Sequence, residues 1–358
     1  MAEFLIASNT SAVFVKTQSA LGTFDDPTAS SPSTNAIRVV GTPKFTPRGA
    51  GIIQRTDIYT PYGGGQAAVT GGIGWDITFQ TELFWRFDEA SGTNPTLITR
   101  NQSQLSALWL ASPWAITVPA TSDVLLTVQP NFYADVNRTT ADYAVQPFSI
   151  AYEEANGKRY EAYDCVCVPK FSWESGGKIM IDWTVKGKWL DVTSSTNTVP
   201  VYPEQYTPTA KPQPPLIGQN AALALSGFFG ADTNALSKVT VDTGWAISDV
   251  MDTRQAYGFG LGFIALTTYP TIALEVANFA ETTEADWTNA QDNTVFDSDD
   301  LTVTLTVGTN SIVYTLKNPQ LIEWPAPGDA NGYRNIGLKF GGIPNSGDTT
   351  VMSIFFNS

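Results

Sequence analysis

The chain has 358 residues, enough for two domains that each bury a core, and only 15% of them are charged. Its formal net charge of −14 argues against any partner held mainly by phosphate neutralisation. It contains no histidine, which excludes Ser-His-Asp and Cys-His nucleophilic sites and removes the commonest metal ligand.

In chain order, residues 1–15 predict an arm and a short strand. The opening residues have no basic stretch and too short an apolar run for a signal peptide, so synthesis in a cytoplasm is expected. Residues 19–33 read as a polar loop with Gly22, Pro27 and Pro32, and strand character resumes at 35–40 and 52–59. Residues 60–72 are too glycine-rich for a central strand, and the run Gly63-Gly64-Gly65 lacks the Lys-Ser/Thr of a phosphate loop. The next strand alternates: Trp75, Ile77, Phe79, Thr81, Leu83 and Trp85 on one face, Asp76, Thr78, Gln80 and Glu82 on the other. Residues 102–111 are the best helix candidate, short and amphipathic, ended by Pro113. Cys165 and Cys167 lie two apart on a predicted strand; without histidine they cannot complete an ordinary structural zinc site, and they read as small core residues. Residues 192–219 hold Pro200, Pro203, Pro208, Pro212, Pro214 and Pro215 and read as a semi-rigid linker. No segment approaches the roughly 18 consecutive apolar residues of a membrane span.

This order predicts one β-unit written twice. A strand at 148–152 turns at Asn156-Gly157, continues through 160–168 to Phe171 and Trp173, and closes with 179–187. A strand at 301–307 turns at Gly308, continues through 312–316 to Leu321 and Trp324, and closes with 336–341. The step from Gly157 to Trp173 equals that from Gly308 to Trp324. Upstream, Leu126-Thr127-Val128 parallels Leu274-Glu275-Val276, and Lys44-Phe45-Thr46 parallels Lys238-Val239-Thr240. The expected fold is all-β, with two tandem homologous antiparallel β-sandwich or barrel domains and one short helix in the first. Domain 1 spans 1–191, with an extra loop at 60–72 and an insertion at 87–122; a Pro-rich linker spans 192–219, and domain 2 spans 220–358. Long additions of this kind are often functional.

The opening Val15-Lys16-Thr17-Gln18-Ser19-Ala20-Leu21-Gly22-Thr23, with Pro27 and Asn35-Ala36-Ile37, resembles the start of the tail tube proteins of long-tailed, non-contractile bacteriophages. The closing Asp182-Trp183-Thr184-Val185-Lys186-Gly187 is similar to that family's final aromatic-rich strand. Through the repeat the resemblance covers essentially the whole chain, in the version with two fused tube domains. It implies a structural virion protein and no enzyme, with no cofactor. It implies self-assembly into homotrimeric rings stacked as a tube in the host bacterial cytoplasm. The lumen would hold the tape-measure protein and pass DNA without specific binding, and the tube would meet tail-tip and terminator proteins, with no membrane involved.

On that reading Asp76, Thr78, Gln80, Glu82, Thr302, Thr304 and Thr306 are the lumen-lining candidates, expected to present an acidic, Lys/Arg-poor wall. Tyr59, Tyr62, Gln66 and Val69 on the glycine-rich loop are the inter-ring candidates. The alternatives are a carbohydrate-binding or adhesive β-sandwich module, using the ten tryptophans as sugar platforms, and another virion protein such as a decoration or tail-tip protein. Trp75, Trp85 and Trp183 fall in phase with core positions, which favours packing over display.

Overall fold

The computed structural model describes residues 11–49, 52–53, 69–70, 73–83, 105, 107–112, 114–117, 124–128, 145–200, 218, 221–224, 235–251, 254, 263–266, 268–277, 288, 292, 300–307, 310–330, 333–344 and 350–357. The first half supplies β1 (Ala12–Thr17), β2 (Ala36–Ile37), β3 (Val40–Gly49), β4 (Ile52–Ile53), β5 (Val69–Thr70) and β6 (Ile73–Glu82). It continues with β7 (Ala115–Thr117), β8 (Val124–Val128), β9 (Phe148–Glu153), β10 (Lys158–Glu174), β11 (Met180–Trp189) and β12 (Thr193–Ser194). The second half supplies β13 (Ala221–Ala224), β14 (Ala235–Asp242), β15 (Trp245–Ser248), β16 (Phe263–Leu266), β17 (Thr271–Ala277) and β18 (Leu301–Val307). It ends with β19 (Asn310–Leu316), β20 (Pro319–Leu321), β21 (Ala326–Ala330), β22 (Tyr333–Gly342) and β23 (Met352–Asn357). All pairings between these strands are antiparallel, and the fold is all-β. The predicted helix shortens to Leu105 and residues 107–110 among the described residues.

Two runs of strands dominate the larger, 13-stranded sheet. β3, β6, β11 and β10 pair in that order; β14, β17, β22 and β20/β21 pair in the same order. Their registers agree too. Matching Lys44 to Lys238 sets Ile77, opposite Phe45, against Leu274, opposite Val239. Matching Lys186 to Lys339 sets Val185 against Leu338, whose cross-strand partners are again Ile77 and Leu274. Two sequence similarities far apart in the chain thus converge on one strand equivalence, β6 with β17. The runs join where Lys170 to Glu174 of β10 pair with Asp242 to Lys238 of β14, so the sheet continues from one half of the chain into the other.

The same registers correct two of the sequence parallels. Leu126 lies on β8, which pairs with β23 in the other sheet, while Leu274 occupies the place of Ile77 on β6. The similar alternation of the two segments does not determine which neighbours they find. Trp324 is not the counterpart of Trp173. Pro327 faces Ile336 as Pro169 faces Trp183, and residues 322–325 stand against only Leu338 and Lys339, so Trp324 sits in a bulge that β10 lacks.

The second sheet has the order β13-β18-β19-β23-β8-β7, with β8 and β7 contributed by the first half of the chain. Its buried residues Leu301, Val303, Leu305, Ile312, Tyr314 and Leu316 belong to the same core as Phe171, Trp173, Trp183, Val239 and Leu274. Tyr314 packs 5.8 Å from Phe171 and 5.1 Å from Trp173, between ring centroids, so the two sheets press face to face. The helical segment fills the first half of this core, with Trp109 edge-on to Trp183 at 5.1 Å. Cys165 and Cys167 are free and fully buried, and burial pushes both thiols well up, which leaves them unreactive.

Candidate assembly surfaces

Because the two sheets pack through their apolar faces, their polar faces point in opposite directions. The lumen-lining candidates divide between them. Asp76, Thr78 and Gln80 lie on the polar face of β6; Thr302, Thr304 and Thr306 lie on β18 in the six-stranded sheet, the first two half-buried and the third exposed. One lining cannot include both groups. Glu82 departs from the predicted open face: it is 8% exposed and bonded to Lys178, because the alternation of β6 breaks at its end, where Thr81, Glu82 and Leu83 are all buried. Of the inter-ring candidates, Tyr59, Tyr62 and Gln66 lie outside the described residues. Val69 starts β5, a two-residue strand whose partner is β4.

The polar face that crosses both runs can be read row by row from the registers. One row is Gln80, Asp182, Lys170, Asp242, Thr271; another is Glu174, Lys238, Glu275, Gly337. Opposite charges sit directly across from each other, the arrangement that favours a ladder. Lys170 lies 3.1 Å from Asp242, Lys238 3.6 Å from Glu174, Lys186 3.4 Å from Asp249 and Arg48 3.6 Å from Asp76. Gln80 Nε2 donates to Asp182 Oδ1 at 2.5 Å. Lys44, Arg48, Lys170, Lys186, Lys238 and Lys339 share this face with Asp76, Asp182, Glu174, Asp242 and Glu275, and Lys339 pairs with Glu323. The face is therefore close to neutral, not the acidic, lysine-poor wall expected from the overall charge. Composition averages over the whole surface, whereas cross-strand pairing places the lysines beside their carboxylates.

No protein-family model matches the chain, and no curated protein matches it.

A second charged feature anchors the loop between β1 and β2. Asp164, at the bulge of β10 with φ 49°, is 1% exposed; it accepts from Gln18 Nε2 at 3.0 Å and Gly22 N at 2.9 Å. Lys188 Nζ lies 2.6 Å from its other oxygen. Nearby, the Arg159 guanidinium lies 2.6 Å from both Asp26 and Glu161 and 3.7 Å from Glu153. Burial pushes the Glu161 carboxyl up despite Arg159. Burial pushes Asp26 up as well, but hydrogen bonds from Thr28 and the Arg159 charge outweigh it, leaving Asp26 below its usual range. These ion pairs tie the loop that carries Asp26 to β9 and β10. No group of three or more His, Cys, Asp or Glu among the described residues could hold a metal ion.

Proposed function

We propose that this chain is the ring-forming subunit of the tail tube of a long-tailed, non-contractile bacteriophage. The observation that carries the reading is the repeated run of sheet, alike in strand order and in the register of its matched central residues, that passes from β3 to β21 without interruption. Its outer edges, β3 and β21, each have a single strand partner among the described residues. A unit that repeats within a chain repeats naturally between chains, and three chains then present six similar units around a ring. The charge-laddered face of β6, β11, β10, β14 and β17 is the lining in this proposal. A lysine paired across the sheet with a carboxylate offers a passing phosphate little net attraction, so DNA moves past without being held. The tape-measure protein occupies the lumen before DNA does, and tail-tip and terminator proteins cap the tube.

The test is negative-stain microscopy and mass photometry of the purified protein over a range of concentrations. Tubes of uniform width built from rings of three chains are the expected result. A protein that stays monomeric at every concentration, or rings of six chains, would overturn the three-chain arrangement. The segment 60–72 is proposed to dock on the neighbouring ring. Deleting residues 62–71 should leave a folded protein that forms rings but no tubes; normal tubes from that variant would place the ring-to-ring contact elsewhere.

A further inference from the structure

We infer that a second copy of this chain lays its β3 along β21, in the register that β14 takes along β10 within one chain. The inference rests on the ring-forming reading and specifies its contact. At the internal junction Ser172 stands opposite Thr240, with Phe171, Trp173, Val239 and Val241 buried around it. The registers assign each partner a counterpart. Thr46 stands opposite Asp76 as Thr240 stands opposite Ala273, so Thr46 of β3 holds the place of Thr240. Ala330 stands opposite Tyr333 as Ser172 stands opposite Met180, so Ala330 of β21 holds the place of Ser172. A copy of the junction therefore sets Thr46 of one chain directly across from Ala330 of the next.

Two further observations favour a second copy as the occupant of this edge. The internal junction is continuous with the proposed one, since both belong to the same row of strands. There is also exposed apolar surface on the approach to β21: Trp324 (65% exposed) and Ile322 (37%) lie between β20 and β21, and Ile322 and Tyr269 (51%) both stand over Gly341, opposite β20. Exposed apolar side chains of this size, beside strands with no further partner among the described residues, mark a contact surface. Pro43 and Pro47 give β3 no N–H at two positions, which blunts it against pairing in arbitrary registers.

The contact is head-to-tail, so two single variants report on it. Thr46→Cys and Ala330→Cys are made separately in the full chain; the native cysteines are buried and do not compete. Under mild oxidation each variant alone should stay free of covalent dimer, while an equal mixture should give covalent dimers. The double variant should give a covalent ladder ending at a closed trimer. Ser172→Cys with Thr240→Cys, which should close within one chain, calibrates the geometry. Trp324→Ser should weaken self-association by about tenfold or more, read by sedimentation. Dimers formed equally by each variant alone, or no dimers in the mixture while the internal pair closes, would overturn the register. Tubes in microscopy without this cross-link would sink the inference and leave the tube reading standing; the cross-link without tubes would do the reverse.

Discussion

The two four-strand runs put different residues into one frame. In the first, Trp75 stands opposite Gly187; in the second, the same places hold Ile272 and Phe340. The larger side chain has moved from one strand to its neighbour. Trp75 lies flat on Trp189 at 4.3 Å and edge-on to Phe45 at 5.7 Å, while the space at Gly187 opposite it is taken by Cys165 and Ala162 of β10. A Cβ there would lie 2.5 Å from Cys165 Sγ and 3.1 Å from Ala162 Cβ. The comparison teaches that the filling of the core is set by the cross-strand pair and not by each position alone. It also explains how the runs keep their register while their core residues differ.

The comparison can be broken most severely at the pair itself. Phe340→Ala should cost about 3–5 kcal/mol, because 1% exposure leaves nothing nearby to refill the space. Denaturant unfolding would measure it, and a loss below about 1 kcal/mol would mean that the second run repacks freely. Gly187→Ala should cost about 1–3 kcal/mol through overpacking. Adding Cys165→Ala should recover part of that loss, since the thiol is the nearest obstacle; strictly additive losses would place the strain elsewhere.

A smaller effect is expected at Tyr314, where the sheets meet. Its hydroxyl is buried with no hydrogen-bond partner among the described residues, and burial pushes the phenol far above its usual range. Tyr314→Phe should be neutral or stabilising by about 1 kcal/mol or less, since it removes an unsatisfied polar group. A clear destabilisation in thermal melting would reveal a partner for that oxygen.

The smallest effect concerns pH and belongs to the first half alone. Glu161 has its folded pKa raised, so its contribution is fully present below the unfolded carboxylate pKa and is lost as pH rises through the folded value. Asp26 is shifted the other way: its contribution is present above the unfolded pKa and is lost as pH falls through the lowered folded value. Glu161→Gln should therefore reduce whatever stability is gained on moving from about pH 7 to about pH 5, and Asp26→Asn should reduce the loss in stronger acid. Urea midpoints across that range would show it; identical pH profiles for wild type and both variants would remove Arg159 and its carboxylates from the account.

Much of the frame was legible in the sequence. The alternation from Trp75 to Phe79, the Asn156-Gly157 turn and the apolar spacing of Leu301, Val303 and Leu305 determine strands and their buried sides, because side chains on a strand alternate with a period of two. The parallel of Lys44-Phe45-Thr46 with Lys238-Val239-Thr240 agrees with the registers, which also align the closing segments 179–187 and 336–341 through Lys186 and Lys339. The candidate surface was legible only in fragments. Alternation names the polar side of β6 and of β18 but not that they face opposite ways, since that depends on which sheet each strand joins. Glu82 reads as exposed until Lys178 is placed beside it. The lysines of the polar face look scattered along the chain, and only pairing between distant strands brings Lys170 to Asp242 and Lys238 to Glu174. What the sequence determines here is local periodicity, which follows from backbone geometry. What tertiary structure decides is neighbourhood: which strand lies beside which, and so which side chains each one meets.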